Sequence, residues 1–348
     1  MTKKLSNSLL LCKNVRSQNL NVWVVVSMAL VSISLTASAD VVPADQSNSV
    51  SGKTSTATSS DNAAPAAAVD DLITNNNLRA LSGSTSLWSI ASQFNYNGGT
   101  VLSPLSQDRP NISDASGTTI KSDLDGAISV KYNLDVKNSL MAGIGIRWIA
   151  PLTPTGPTNY NGTLFDVMNP YVVYQYIYKW SGIQSVLQVQ GMQWTQADQT
   201  ALGFAQQLNV DQENMYEIGS TGLSVGVSAF VQFQTFNKTG TLGTPGTANY
   251  VSNVQDYQSQ YSFGLSPELE YQLSEKINLR TLVSPCTFEH YVSQAGVFGF
   301  TQDTVYQSVG VGISVTRDVF LYPNVQFLPL QFDLAQTNVG LGATVNLF

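Results

Sequence analysis

The last ten residues, Val339–Phe348 (VGLGATVNLF), decide how this chain is expected to fold. Successive side chains of a β-strand point to opposite faces, so this stretch has an apolar face and a face of Gly, Thr and Asn. The apolar face consists of Val339, Leu341, Ala343, Val345 and Leu347. A terminal strand leaves an unpaired edge unless it pairs with another strand. Pairing with the first strand would close a barrel, and an apolar face against lipid with a small polar face towards a lumen is typical of a transmembrane β-strand.

The composition is compatible with such a barrel. Charged residues make up 11% of the 348 residues and the mean hydropathy is near zero. An average soluble domain is about a quarter charged. Here Gly, Ser, Thr, Asn and Gln take the place of charges, which fits strands that are half polar. A secreted β-sandwich or β-solenoid is the alternative that composition leaves open.

Alternation over roughly ten residues recurs from about residue 86 onward, which is the length that a tilted strand needs to cross a bilayer. The polar faces carry Gly, Ser and Gln rather than the Lys and Glu of a solvated sandwich, which favours an enclosed lumen. The sequence therefore predicts an all-β fold, a transmembrane antiparallel up-and-down β-barrel of about 12 strands. The predicted strands are 86–96, 123–133, 138–149, 168–179, 182–195, 200–210, 221–236, 257–273, 276–290, 303–316, 318–328 and 335–348. Residues 196–220 could instead contain a helix, which would leave ten strands or a different strand pairing.

The predicted connections alternate in length. Tight turns are expected at Asp135–Lys137, Trp180–Ser181, Ser274–Glu275 and Arg317–Asp318. Longer loops rich in Gly, Pro and Asn are expected near 97–122, 150–167, 237–256 and 291–302. Short turns at one end and long loops at the other are the arrangement of a barrel with periplasmic turns and external loops.

These features resemble Gram-negative outer-membrane β-barrel proteins as a general class, over residues 86–348. In that class an alternating C-terminal strand ends on an aromatic residue, as this chain ends on Phe348. Phe348 falls in the polar row, whereas the terminal aromatic of the class continues the apolar row. The resemblance implies location in the outer membrane, lipid as a partner, and recognition of the C-terminal strand by the barrel assembly machinery.

The segment before the barrel divides into three parts. Residues 1–39 are a predicted signal peptide: a basic region, the apolar run Val22–Leu35, and an Ala37–Ala39 cleavage site. An uncleaved membrane anchor is the alternative. Residues 40–69 have the composition of a flexible Ser/Thr/Ala-rich linker, expected in the periplasm. Within residues 70–85, Asp70–Leu81 is expected to form a short helix that is capped by Asp70 or Asp71, ends before Gly83, and either plugs the lumen or lies in the periplasm.

Charge and motifs exclude several functions. Four of the 16 Lys and Arg residues lie in the first 39 positions, which contain no acid, so the remainder carries 12 basic and 23 acidic residues. This balance argues against nucleic acid as a partner. Cys12 falls in the predicted signal peptide, which would leave Cys286 alone.

No catalytic motif, cofactor motif or metal-ligand spacing is present, so we expect neither an enzyme nor a bound metal. His290 is the single histidine. Twelve-stranded outer-membrane proteases and phospholipases use His with Asp, or with Ser and Asn, but neither motif can be matched around His290. It is expected to be a solvated residue at a strand end.

The lumen is the candidate site that remains. Inward charges and amides are expected at Lys131, Arg147, Gln188, Gln190, Gln258, Gln260, Glu268, Glu270 and Arg280. We expect Leu269 opposite Arg280, with Glu268 and Glu270 flanking the guanidinium diagonally. These charges would form either a constriction or a salt bridge that fixes the register.

The leading functional hypothesis is a narrow outer-membrane channel, or porin-like protein, for passive diffusion of small polar solutes. A non-conducting structural or surface-interaction barrel, whose external loops contact a partner, is the alternative. An autotransporter-like translocator is a third hypothesis, suggested by the linker and possible helix before the barrel.

Overall fold

The computed structural model describes residues 66–113, 118–153, 155–157, 162–245, 250–283 and 286–348. The predicted signal peptide and all of the linker up to residue 65 lie outside these residues. Two short helices, α1 (Ala66–Leu72) and α2 (Asn76–Ser82), precede the first strand. None of the helices in the described ranges is long and apolar enough to cross a bilayer.

Twelve long strands of the described chain form one closed antiparallel sheet, as the sequence predicts. In chain order they are β1 (Trp88–Thr100), β2 (Asp123–Asn133), β3 (Asn138–Ile149), β4 (Phe165–Trp180), β5 (Ile183–Gln193), β6 (Phe204–Glu217), β7 (Leu223–Phe236), β8 (Ser259–Ser274), β9 (Ile277–Val283), β10 (Gln307–Thr316), β11 (Val319–Phe327) and β12 (Asn338–Leu347). Each strand pairs with its neighbours in sequence, and β12 pairs with β1 from Ile90↔Leu347 to Thr100↔Asn338. The C-terminal strand therefore closes the barrel.

Residues 196–220 combine both predicted alternatives. A short helix, α3 (Ala197–Ala201), lies in the connection after β5, and β6 follows it. The expected strand at 200–210 is real but starts later and runs to Glu217. The barrel thus keeps twelve strands, because the helix occupies a loop and does not replace a strand.

The connections alternate as expected. At the end of the barrel that holds both ends of the sheet, the connections are short, with two-residue turns at Ser181–Gly182, Glu275–Lys276 and Arg317–Asp318. At the other end they are long, and the first of them contains a hairpin of Asp108–Pro110 with Thr119–Lys121. By this arrangement the end with short turns is the periplasmic end and the end with long loops is the outer end.

The outer wall is apolar and the inner wall is polar. On β8, Phe263, Leu265 and Leu269 are exposed outward, whereas the alternate positions Ser262 and Ser266 are buried inward. Trp88 and Trp180 are exposed on the wall near strand ends, where aromatic residues meet the membrane interface. An exposed apolar belt around a closed polar interior is stable against lipid and would be unstable in water.

Candidate functional site: the lumen and the segment inside it

Residues 70–83, which we call the lumen segment, lie inside the periplasmic half of the barrel. Two helices form here in place of the single predicted helix, because Asn75 adopts an extended backbone and caps α2 through a hydrogen bond from the Leu78 amide (3.0 Å). Asp70 and Asp71 lie within α1. Gly83 follows α2 with φ +83°, a conformation that glycine adopts without strain.

The lumen segment separates two cavities. The outer cavity, of about 460 Å³, is bounded below by Asn77 and Leu81 of α2. The inner cavity, of about 670 Å³, is bounded above by Asn75 and Arg79 and opens towards the periplasmic turns. The segment therefore occupies the path between the two ends of the barrel.

The outer cavity has an amide-rich wall. Inward side chains of β1, β11 and β12 contribute Gln93, Asn95, Asn97, Asn324, Gln326 and Thr344. Gln93 and Asn95 are exposed although they belong to the inward row of β1. An exposed side chain on the inner wall shows that this part of the lumen is not filled by protein.

Glu268, Glu270 and Arg280 form one buried ion cluster at the boundary of the outer cavity. Arg280 Nε lies 3.1 Å from Glu268 Oε2 and 3.2 Å from Glu270 Oε1, and the two carboxylates are almost fully buried. The guanidinium also lies over the ring of Tyr322, 5.1 Å from its centroid. The predicted proximity of these charges is therefore present in the fold.

The expected register of this cluster is wrong by one residue. Arg280 lies directly opposite Glu270, and Leu269 lies opposite Thr281. The register shifts between Gln272 and Ser274, next to the turn. A bulge adds one residue to one strand, so every residue pair beyond the bulge is shifted by one position.

Lys131 lies at the other side of the lumen and is 2% exposed. Its Nζ donates hydrogen bonds to the carbonyl of Ser82 and to Gln175 Oε1 (3.2 Å). Lys131 thus contacts the end of α2, where the last carbonyls of a helix have no partner within the helix.

Arg147 lies near the outer end of β3, away from the ion cluster. Its Nε is 3.3 Å from Asp123 Oδ2, and Arg109 of the external hairpin reaches the other oxygen of the same carboxylate (3.5 Å). Asn97 donates to Asp123 and Asp125. This group fixes the external hairpin to the mouth of the lumen.

The four predicted glutamines occupy three different places. Gln188 and Gln190 belong to the inward row of β5, opposite Asp211 and Asn209. Gln258 is buried before β8 and donates to the carbonyls of Leu202 (2.7 Å) and Lys238 (3.0 Å), so it holds two external loops together. Gln260 is exposed at the outer end.

Other lumen residues are not among the predicted site residues. Gln175, Gln184, Arg317 and Asn346 contact the lumen segment, and Glu213 lines the outer cavity, where it accepts a hydrogen bond from Ser228 (3.3 Å). The inward positions of the four strand residues follow from strand alternation, whereas Arg317 lies in the turn between β10 and β11. What the sequence does not reveal is that side chains from several distant strands meet one short segment.

His290 is buried on the outer wall, so the expectation of a solvated histidine is wrong. It lies opposite Tyr261, whose ring stacks on it at 4.6 Å between centroids, and Phe300 packs against it. Its Nδ1 contacts the carbonyl oxygen of Gly299 at 2.7 Å. The loop after Tyr291 folds back over this position and removes it from water.

We expect His290 to contribute to stability and not to chemistry. Replacing it by Ala should lower the free energy of unfolding by about 1–3 kcal/mol, because a stacked ring and a buried hydrogen bond are lost. His290→Phe should retain most of the ring packing. Urea unfolding followed by heat-modifiable gel mobility measures both variants. Equal loss of function in both variants, with stability unchanged, would contradict this role.

The described residues contain no group of three or more His, Cys, Asp or Glu side chains that could hold a metal ion. The chemistry that the lumen offers is hydrogen bonding by amides and hydroxyls, together with one strongly paired ion cluster.

No protein-family model and no curated protein matches the chain. Among solved structures, the KdgM porin is 9% identical, with 75% of this chain and 98% of that chain covered and a TM-score of 0.38. An outer membrane channel from Pseudomonas putida F1 is 10% identical (76% and 97% covered, TM-score 0.43). An active-site mutant of outer membrane phospholipase A from Escherichia coli is 12% identical (75% and 90% covered, TM-score 0.34).

The class of the protein follows from its own geometry. The sheet is closed, its outer wall is an apolar belt, its interior is polar, and short turns alternate with long loops. A closed sheet with this distribution of polarity satisfies its backbone in lipid without an exposed edge. The chain folds as a closed twelve-stranded transmembrane β-barrel, with the architecture typical of outer-membrane barrels.

Proposed function

We propose that the barrel is a narrow channel for passive diffusion of small polar solutes across the outer membrane. The observation that supports this proposal is the outer cavity, whose wall exposes amide side chains such as Gln93 and Asn95 inside a closed barrel. A barrel with a purely structural role has no need of an unfilled polar lumen.

Neutral solutes rich in hydroxyl groups, such as sugars or nucleosides, match the wall best. Amide groups both donate and accept hydrogen bonds, and hydroxyl groups of a solute do the same. The charges of Arg280, Glu268 and Glu270 are paired with one another, so they offer little net attraction to an ion. Liposome swelling with sugars of increasing size tests the proposal on the wild-type chain and on the double variant Ile73→Asp, Leu78→Asp, in which the lumen segment should leave the path. Absence of flux through both correctly folded barrels would refute it.

Charge selectivity provides a second test. The double variant Glu268→Gln, Glu270→Gln removes two negative charges and leaves Arg280, so the ratio of anion to cation permeability should rise several-fold. Reversal potentials in a planar bilayer under a salt gradient measure this ratio. Asp256→Asn, in an exposed external loop, is the matched control. Unchanged selectivity in the double variant would mean that ions do not pass this cluster.

A non-conducting barrel is the second candidate, and one observation favours it. Ile73 and Leu78 of the lumen segment pack with Ile177, Val186 and Met215 of the wall in a buried apolar cluster. This cluster fills the lumen beside β4, β5 and β6 in its periplasmic half. Single-channel recording of the folded full-length chain distinguishes the two candidates, since a permanently filled lumen gives no openings.

A further inference from the structure

We propose that the periplasmic half of the lumen is a peptide-binding site, and that its ligand is the chain's own residues 70–83, held there as a removable plug. Binding of residues 70–83 in the lumen does not depend on whether the barrel transports solutes. That their removal opens a path for solutes rests on the proposed channel function.

The wall binds the C-terminal end of α2 through four consecutive backbone carbonyls. Asn346 donates to Ala80 (2.8 Å), Gln175 to Leu81 (3.1 Å), Lys131 to Ser82, and Arg317 to Gly83 (3.1 Å). The four donors come from β12, β4, β2 and the turn between β10 and β11. Four separate parts of the barrel therefore converge on the carbonyls at the end of the helix, where intrahelical partners run out. Among these four, the Ala80 carbonyl also accepts the Gly83 amide (3.1 Å).

The wall binds the segment before α2 in the complementary way. Gln184 Oε1 accepts hydrogen bonds from the backbone amides of Thr74 (2.7 Å) and Asn75 (2.9 Å). Asn75 Nδ2 donates to Glu270 Oε2 (2.8 Å), which links the segment to the ion cluster. Arg317 also pairs with Asp70 (2.9 Å). Donors thus meet carbonyls and acceptors meet amides, as in a site built for a polypeptide backbone.

The barrel does not need the segment in order to close. All twelve strands have a partner on each side, and none of these pairings involves residues 70–83. The apolar contacts of the segment are local: Ile73 and Leu78, with Leu72 and Leu81 beside them, pack against three wall residues, and Ala80 packs against Phe320 and Tyr322. Cavities lie on both sides of it, so water can reach the polar wall groups when the segment leaves.

Thiol labelling of the full-length chain tests whether the plug leaves while the barrel stays folded. Cys12 and Cys286 are replaced by Ser, and a single thiol is introduced by Ala80→Cys, at a position that is 1% exposed. We expect a bulky maleimide to label this thiol slowly, at a rate above that of barrel unfolding measured by gel mobility. Adding Lys131→Met should speed labelling about tenfold, because a charge-assisted hydrogen bond to the segment is lost. Lys137→Met, in an exposed turn, should not change it.

A peptide tests the site directly. In the full-length double variant Ile73→Asp, Leu78→Asp, the segment should be displaced, and a fluorescein-labelled peptide of residues 66–86 should bind. The wild-type chain should bind it at least tenfold more weakly, because the tethered segment already occupies the site at high effective concentration. The same peptide carrying Leu78→Asp is the control.

Two outcomes would overturn the plug. One is labelling of the Ala80→Cys variant no faster than loss of the folded barrel; the other is equal peptide binding by the wild-type chain and the double variant. Conductance separates this inference from the proposed function. If the double variant binds peptide but is electrically silent without it, the peptide site stands and the channel is refuted. If the double variant conducts and the added peptide blocks the current, the peptide-binding site and the channel function are both supported.

Discussion

Replacing Arg280 by Met is expected to lower the free energy of unfolding by about 3–5 kcal/mol, the usual cost of removing one partner from a buried ion pair. Arg280 is the cation between Glu268 and Glu270, whose side chains are 1% and 3% exposed. The two carboxylates are close together because they lie two residues apart on the inward row of β8. Without Arg280 they would repel each other in a site that little water reaches. The carboxylate of Glu213 lines the same cavity and adds to the repulsion.

Urea unfolding in detergent, followed by heat-modifiable mobility, measures the loss. Lys137→Met removes one positive charge from an exposed turn and is the matched control. The triple variant Glu268→Gln, Glu270→Gln, Arg280→Met should recover much of the stability, since it removes the two paired carboxylates together with their cation. A loss below about 1 kcal/mol in Arg280→Met, the range of exposed ion pairs, would show that the carboxylates are solvated.

Replacing Gly342 by Trp is expected to reduce solute flux about tenfold without unfolding the barrel, because a large side chain would enter the outer cavity. A Cβ on Gly342 would lie 3.6 Å from Asn95 Oδ1 and 3.7 Å from Tyr322 Cβ, which are ordinary contacts. The site therefore accepts a side chain whose ring must extend into the lumen. A side chain at Gly310 would not fit in the same way, since a Cβ there would clash with the Pro323 carbonyl oxygen at 2.2 Å.

Leu341→Trp is the matched control for this variant. Leu341 is the neighbouring residue of the same strand, but its side chain faces outward and is 41% exposed. Both variants add a ring of the same size, one inside and one outside. Liposome swelling with a small neutral sugar should slow for Gly342→Trp and stay near wild type for Leu341→Trp. Equal rates for the two variants would show that the solute does not pass through the outer cavity.

Strand alternation was enough to predict the architecture. The stretch Val339–Phe348 indicated closure of the sheet, and β12 does pair with β1. Twelve strands, the short turns and the inward position of Lys131 and Glu270 follow from the same period of two residues. This information is local, because the direction of a strand side chain depends only on its position along that strand.

Register could not be predicted where a bulge interrupts the pairing. The register shift beside Ser274 places Glu270 opposite Arg280. Counting residues outward from the turn instead predicts that Leu269 lies opposite Arg280. A bulge depends on packing with the neighbouring strands, which is absent from the alternation itself. The burial of His290 has a similar cause, since a loop that follows β9 in the chain folds back to cover it.

Strand alternation in the sequence predicts which strand residues face inward, whereas the closed barrel fixes what those residues contact. Lys131 and Gln184 are inward by alternation, yet nothing in their own strands shows that they bind residues 70–83. Only closure of the barrel brings β2, β4, β5 and β12 around one short segment. Several of the contacts that define the site join residues more than a hundred positions apart, such as Gln184 with Asn75 and Asn346 with Ala80. Periodicity along a chain carries no information about such pairs.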